Sequence, residues 1–243
     1  MSIVAQKPGV IRDVRSHYCP GCGHGIMHRI VGECIEELGL EETFVGIAPV
    51  GCSVLMYNYL NTDYIEVAHG RAPAVATGLK IALPDNFILS YQGDGDLASI
   101  GMAEIVHAAQ RGFPITVLFI NNAIYGMTGG QMAPTTLIGQ KSTTTPGGRN
   151  PAVDGYPVKV CELLSSIEGA VYLERVKVNS PGDVRKAKKA VLKAFQNQID
   201  RKGFSLVEAL SMCPTNWHLS ALEALEYVDT MAEVFPPGVY KDV

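Results

Sequence analysis

The sequence predicts an α/β protein built on a doubly wound, mostly parallel sheet. Three observations carry that prediction. Short apolar runs rich in β-branched residues recur along the 243 residues. Helical patterns separate them. Turns rich in glycine, carboxylates and amides close two of the runs. Continuous apolar strands suit a parallel sheet covered on both faces. Strand–helix alternation suits the doubly wound arrangement.

The strands are Thr43–Val50 (TFVGIAPV), Asn86–Gln92 (NFILSYQ), Ile115–Asn121 (ITVLFIN), Ala170–Val178 and Phe204–Leu210. Ahead of the first, Ile26, Ile30, Val31, Cys34, Ile35 and Leu38 share one helical face, and Gly39 stops the helix. Ala72–Leu83 is small and apolar, suited to close packing on a sheet, while Leu97–Arg111 follows the second strand and ends at Gly112. Val158–Leu164 also reads as helical and apolar. Val184, Ala187, Val191, Phe195 and Ile199 form a stripe, and Arg185, Lys186, Lys188 and Lys189 lie off it. That basic cluster reads as a solvated helix face, with a docking patch for an acidic partner as the alternative. Residues 126–157 break the pattern. They are rich in Gly, Pro and Thr, and so long a stretch usually covers a site or meets a partner. The expectation is a single domain over 1–243, with an N-terminal CxxC segment, the long loop and a C-terminal extension.

Composition narrows the function. Hydrophobic residues at 47% and charged residues at 18% fit a globular chain and argue against long disorder. A net charge of -4 gives no basic footprint for nucleic acid. No apolar run approaches the roughly 18–20 residues that cross a bilayer. Met1–Tyr18 carries Lys7, Arg12, Asp13 and Arg15 without an apolar core, so no secretory leader is read there. Six cysteines then point to a reducing, cytoplasmic setting, where clustered cysteines more often bind metal than pair as disulfides.

The second strand runs into Gln92-Gly93-Asp94-Gly95-Asp96, with a helix opening at about Leu97. Ligands of open α/β sheets sit beyond the carboxyl ends of the strands. Glycines there admit a phosphate to the backbone, and the helix N-terminus offers free N–H groups. Two carboxylates would repel a polyphosphate unless a hard cation such as Mg²⁺ stood between. The third strand ends in Asn121-Asn122-Ala123-Ile124-Tyr125-Gly126, where an amide oxygen and a carbonyl can complete a metal shell. Each motif alone reads as a capped turn; the pair, each closing an apolar strand, favours a metal–diphosphate site.

Cys19-Pro20-Gly21-Cys22 is half a metal site. Cys52 follows the first strand and Cys213 the last, whereas Cys34 and Cys161 fall on apolar helical stripes and read as core thiols. Spacing alone leaves a [4Fe–4S] cluster, zinc and unligated thiols all open.

Gly93-Asp94-Gly95 followed by Asn121-Asn122 resembles the diphosphate motif of thiamine diphosphate enzymes. The ordered set HYCPGCGHG, PVGCS, HGRAPAVATG, YQGDGDLASIG, NNAIYGMTGGQMAPTT and MCPTNW resembles the β subunit of the 2-oxoacid:ferredoxin oxidoreductases over nearly the whole chain. The resemblance implies a thiamine diphosphate-binding fold. It implies Mg²⁺ held by Asp94, the Asn122 side chain and the Ile124 carbonyl, with Gly93, Gly95, Asp96, Gly126 and Met127 along the diphosphate. It implies one [4Fe–4S] cluster on Cys19, Cys22, Cys52 and Cys213. Val50, Gly51, Cys52 and Ser53 would touch the cofactor, and His69 would stand near it in a catalytic role.

The implied reaction is oxidative decarboxylation of a 2-oxoacid, with the acyl group passing to coenzyme A and electrons passing singly through the cluster to ferredoxin. The partners implied are an α subunit, which supplies the Glu that protonates the aminopyrimidine ring, and ferredoxin-like γ and δ subunits. Glu66 and Glu104 fall in no motif that would replace that Glu. Ser53-Val54-Leu55-Met56-Tyr57 lacks a cation to read a side-chain carboxylate, which leans towards 2-oxoisovalerate, with 2-oxoglutarate next. For His69 and Arg71 the plain alternative is a helix cap and an ion pair. Two other functions stay open: a non-redox thiamine diphosphate decarboxylase or synthase subunit with structural zinc, and an iron–sulfur electron-transfer module without thiamine.

Overall fold

A computed structural model describes residues 6–243; the part of the leader reading that falls on residues 1–5 lies outside the described residues. Seven strands form one sheet in the order β2-β1-β3-β4-β6-β5-β7. They are β1 (Phe44–Pro49), β2 (Asp63–Val67), β3 (Phe87–Gly93), β4 (Thr116–Asn121), β5 (Ala170–Lys177), β6 (Phe204–Leu210) and β7 (Gly238–Asp242). All pairings are parallel except β5 with β7 at one edge. β1, β3, β4 and β6 are almost wholly buried, as their uninterrupted apolar runs require.

The helices are α1 (His24–Glu37), α2 (Ala72–Ala82), α3 (Met102–Arg111), α4 (Pro151–Asp154), α5 (Val160–Ser165), α6 (Pro181–Ile199), α7 (Pro214–Trp217) and α8 (Ala221–Val234). They cover the sheet on two sides. One core joins Met27, Ile30 and Val31 of α1 to Val191 and Phe195 of α6 and Val228 of α8. The other joins Ala72 and Ala76 of α2 to Ile105 of α3 and Leu164 of α5. The doubly wound parallel sheet is therefore as read, and all five strands fall within a residue or two of their expected bounds.

Four features differ from the sequence reading. The edge strands β2 and β7 and the helix α8 were not anticipated. α8 nonetheless carries its own signal: a capping box from Ser220 to Glu223 and buried Ala224, Val228 and Met231 at helical spacing. The segment expected as one helix over Leu97–Arg111 opens as a π-type turn, Asp96–Ile100, with Gly101 between it and α3. There the backbone of Gly70 presses so close that a methyl on Gly101 would stand 2.9 Å from its carbonyl oxygen. The basic face of α6 is solvated as read, with Arg185, Lys186 and Lys189 exposed. Lys188 pairs with Glu33 and Glu37, and Lys186 with Asp183.

A buried ionic knot ties the far half of the sheet. Arg175 on β5 is fully buried; its Nε donates to Glu208 Oε2 on β6 at 2.8 Å, and its Nη2 to Glu162 Oε2 on α5 at 2.6 Å. Glu208 Oε1 in turn accepts from Asn121 Nδ2 at the end of β4. Removing one member of such a pair leaves an uncompensated buried charge, at about 3–5 kcal/mol. Arg175→Met is expected to lower stability to urea by that order. Adding Glu208→Leu should recover part of the loss, and a double variant no more stable than the single would contradict this account.

Candidate functional site

Parallel pairing places the carboxyl ends of β1, β3, β4 and β6, four neighbouring strands, at one edge of the sheet. From these ends issue Val50–Ser53, Asp94–Asp96, Asn122–Gly126 and Ser211–Cys213. A cavity of about 320 Å³ opens among the first three. Val50, Gly51, Cys52, His69, Gly93, Gly95, Asp96, Gly126 and Met127 line it, together with Asp94, Asn122 and Ile124. Ser53 does not. It is buried, and its hydroxyl turns back to the Pro49 carbonyl at 3.3 Å. Residues 53–57 likewise stay out of the lining. Val54–Asn58 form a 3-10 turn that buries Met56 in the core, so they are no guide to the substrate pocket.

Asp94 is the centre of the arrangement. Its Oδ1 accepts from its neighbour Gly95 N at 2.8 Å; its Oδ2 accepts from Ile124 N at 3.1 Å and from Thr135 Oγ1 at 2.8 Å. Burial nevertheless raises its pKa to about 6, against the pull of those bonds. No cationic side chain pairs with it among the described residues. Next to it, Asn122 Oδ1 accepts only a 3.3 Å bond from Ile124 N, and the buried Ile124 carbonyl accepts none among the described residues. A desolvated carboxylate, an amide oxygen and an unpartnered carbonyl make an oxygen donor set fitted to a hard divalent cation. Ala123, between the last two, holds a left-handed φ of 56°. Such strain costs a non-glycine residue about 1–3 kcal/mol and persists only where the surroundings impose it. Here Ala123 O is held by Thr136 Oγ1 at 2.7 Å and Gln140 Nε2 at 3.0 Å. Gly95 is required for a different reason: a Cβ there would fall 2.0 Å from the Tyr125 ring.

The second carboxylate does other work. Asp96 Oδ2 accepts from Gln92 Nε2 at 2.5 Å; its Oδ1 accepts from Gly70 N at 2.6 Å and lies 2.7 Å from His69 Nδ1. That same Nδ1 is 3.1 Å from Val50 O. Both neighbours of Nδ1 are acceptors, so the proton is assigned there and Nε2 is left as the free nitrogen. His69 therefore joins the π-type turn to the end of β1 and does not cap a helix. Arg71 takes the plain alternative, pairing with Glu104 and donating to Ile100 O at 3.0 Å. Glu66 is exposed on the edge strand β2.

Cys19, Cys22, Cys52 and Cys213 gather beside the cavity, all as free thiols. Burial pushes Cys22 and Cys52 up to about 12, and the neighbouring sulfurs add to both shifts. Burial also raises Cys213, which Asn216 opposes by hydrogen bonding. A methyl on Gly126 would stand 3.2 Å from Cys52 Sγ and 3.6 Å from Cys213 Sγ, so both sulfurs border the turn after β4. Among the described residues no three His, Cys, Asp or Glu side chains converge tightly enough to hold one metal ion. Four thiols from three segments are the donor type that a four-iron cluster would take. Cys34 and Cys161 are buried in the two cores, as their helical stripes foretold.

Sequence reasoning missed several residues here. His24 lines the cavity, bonds Tyr91 OH at 2.9 Å, and is held neutral by burial, which lowers its pKa to about 3. Thr135 reaches Asp94 from the long loop. Arg149, also in that loop, is buried and donates to the carbonyls of Pro134, Thr136, Gly155 and Tyr156. It is the knot that gives a segment without periodicity a fixed shape. Nothing in local spacing marks Thr135 or Arg149; a basic residue inside a Gly/Pro/Thr loop is the one available hint.

Comparison with known proteins agrees with this geometry. The family model "Thiamine pyrophosphate enzyme, C-terminal TPP binding domain" matches residues 49–209. The chain is 50% identical over 240 residues to a ketoisovalerate oxidoreductase subunit of Methanothermobacter marburgensis, covering 98% of this chain and 50% of that protein. It is 40% identical over 199 residues to a 2-oxoglutarate synthase subunit of Methanocaldococcus jannaschii, covering 82% of this chain and 69% of that one. It thus spans about half the length of the ketoisovalerate relatives. Among solved structures, 2-oxoglutarate:ferredoxin oxidoreductase from Magnetococcus marinus, with 2-oxoglutarate, coenzyme A and succinyl-CoA bound, superposes with a TM-score of 0.78 at 27% identity, over 99% of this chain and 86% of that one.

Thiol exposure gives a direct check. Cys19 is exposed, whereas Cys34 and Cys161 are fully buried with raised pKa values. In the metal-free native chain an alkylating reagent should modify Cys19 first and leave Cys34 and Cys161 untouched until denaturation, as read by mass spectrometry. Early labelling of either core thiol would contradict the division of the six.

Proposed function

The chain belongs to the thiamine-pyrophosphate-binding subunits of the 2-oxoacid oxidoreductase family, and from that premise we propose that it is the β subunit of a 2-oxoacid:ferredoxin oxidoreductase. The observation that carries the reading is the meeting, at one sheet edge, of the Asp94–Asn122–Ile124 oxygen set with the four cysteines. In this reading Asp94, Asn122 Oδ1 and Ile124 O hold Mg²⁺. Gly93, Gly95, Asp96, Gly126 and Met127 border the diphosphate, and Val50, Gly51 and Cys52 approach the rest of the cofactor. Ser53 acts behind them, fixing the turn after β1. When bound, thiamine diphosphate supplies the nucleophilic carbon and the electron sink on which a 2-oxoacid is decarboxylated.

The chain's own residues do the rest. Asp96 fixes the His69 ring so that its free Nε2 can hold or pass a proton at the cavity wall. Cys19, Cys22, Cys52 and Cys213 hold a [4Fe–4S] cluster as a one-electron acceptor beside the cofactor. Coenzyme A takes the acyl group, and ferredoxin takes the electrons through γ and δ subunits. The lining includes no Glu among the described residues, which supports an α subunit as the source of the aminopyrimidine partner. The whole chain is read as one binding domain working in the cytoplasm; no described helix is long and apolar enough to cross a membrane.

For the substrate we propose 2-oxoisovalerate, with 2-oxoglutarate as the competitor. The support is no longer the run after Cys52 but the cavity itself, whose described lining has neither Lys nor Arg. A side-chain carboxylate would meet only neutral donors there, such as Thr128 and Gln131, whereas an apolar branched chain needs none.

Two outcomes test these readings. Asp94→Ala should abolish Mg²⁺-dependent thiamine diphosphate binding, measured calorimetrically, while iron and sulfide stay near wild-type content; retained cofactor affinity would sink the proposed metal role. The enzyme reconstituted with its partner subunits should reduce ferredoxin with 2-oxoisovalerate at a higher kcat/KM than with 2-oxoglutarate, and the isolated chain should do neither. The reverse preference would overturn the substrate assignment, and turnover by the isolated chain would overturn the need for the α subunit.

A further inference from the structure

α7 is a single turn, yet it touches both proposed cofactor sites. Cys213 is the residue immediately before it. Asn216 Nδ2 donates to Gly126 O at 2.9 Å and lies 3.4 Å from Cys213 Sγ. Trp217 Nε1 donates to Asn122 O at 3.0 Å. Asn122 and Gly126 are the two ends of the turn that carries the proposed metal and diphosphate contacts, so α7 grips both ends of it. The amide of Asn216 is also confined. A methyl on Gly130 would stand 3.2 Å from its Oδ1.

We propose that Asn216 is a positioning residue that joins the cluster to the thiamine site, one amide proton serving the Cys213 sulfur and the other the Gly126 carbonyl. This rests on the cluster and cofactor reading given above. An amide carries two donors, which is what the two contacts require. A donor to a cluster sulfur stabilises the reduced, more negative state and raises the potential. Because the same amide is oriented by Gly126 O, any shift of the diphosphate loop changes the N–H···S contact. Cofactor affinity and cluster potential are then coupled, and the coupling is reciprocal.

The test uses the full chain purified anaerobically, with iron and sulfide assayed first. The cluster takes one electron, [4Fe–4S]²⁺ to [4Fe–4S]⁺, from dithionite through mediators, and the midpoint is followed by electron paramagnetic resonance. Cofactor affinity is read from the fluorescence of Trp217, the one tryptophan of the chain. Asn216→Leu should shift the midpoint to a more negative value and weaken Mg²⁺–thiamine diphosphate binding by about two- to tenfold, the effect of one lost hydrogen bond. Adding the cofactor should move the wild-type midpoint and leave that of the variant where it was. Asn216→Gln, which keeps the donor, should restore part of each effect. An Asn216→Leu variant with full iron content and the wild-type midpoint would overturn the proposal while leaving the cluster reading intact. If that variant takes up no iron, Asn216→Asp replaces it: the same shape without the donor, in which an unchanged midpoint is equally fatal. A wild-type chain without iron and sulfide would overturn the cluster reading, and this proposal with it, a result the metal assay tells apart from the first.

Discussion

A buried carboxylate governs the architecture of the site. Asp94 stands at the carboxyl end of a central strand, almost without contact with water. A lone ionised carboxylate in that position is costly, and the raised pKa records the cost. Hydrogen bonds from Gly95, Ile124 and Thr135 offset part of it. Those donors come from the turn after β3, the turn after β4 and the long loop, so satisfying one charge gathers three segments. The remaining deficit is electrostatic, and the divalent cation proposed above would offset it.

The rest of the edge reads as support for that demand. The turn after β4 must present an amide oxygen and a carbonyl side by side, and it does so by forcing Ala123 into a left-handed conformation. Strain of this kind is held only if the neighbours are rigid. Thr136 and Gln140 bind Ala123 O, and Arg149 spends its guanidinium on the carbonyls of the loop from which they come. Such a cage explains how a segment with no hydrophobic periodicity keeps one shape. Its order comes from a buried cation satisfied by main-chain oxygens, where a helix or strand would use its own ladder.

That difference also sets what could be read in advance. Strand and helix positions depend on periodic burial, which is local, and so β1, β3, β4, β5 and β6 were legible from their apolar runs. The ends of those strands were legible too, because Asp94, Asn122, Cys52 and Cys213 are polar or thiol residues placed where an apolar run stops. Thr135, Arg149 and His24 were not, because each acts on a partner distant in sequence through a contact that leaves no spacing rule. Ser53 shows the opposite failure. The family resemblance implied a cofactor contact, yet the turn after β1 buries this side chain against the Pro49 carbonyl. The π-type turn at Asp96 was invisible for a related reason: it packs against Gly70, which lies outside the segment.

Two constellations of different chemistry share this edge because a parallel sheet has one end where all its strands finish. Cys52 and Cys213, 161 positions apart by their numbers, need no dedicated fold to meet; β1 and β6 already deliver both to the same rim. Placing Asp94 and Asn122 on the two strands between them puts the oxygen set inside the span of the sulfur set. The separation between the sites is then fixed by strand spacing, which resists change because each strand is buried on both faces. In the proposed reading, one-electron transfer from the cofactor to the cluster would ask for that kind of fixed separation.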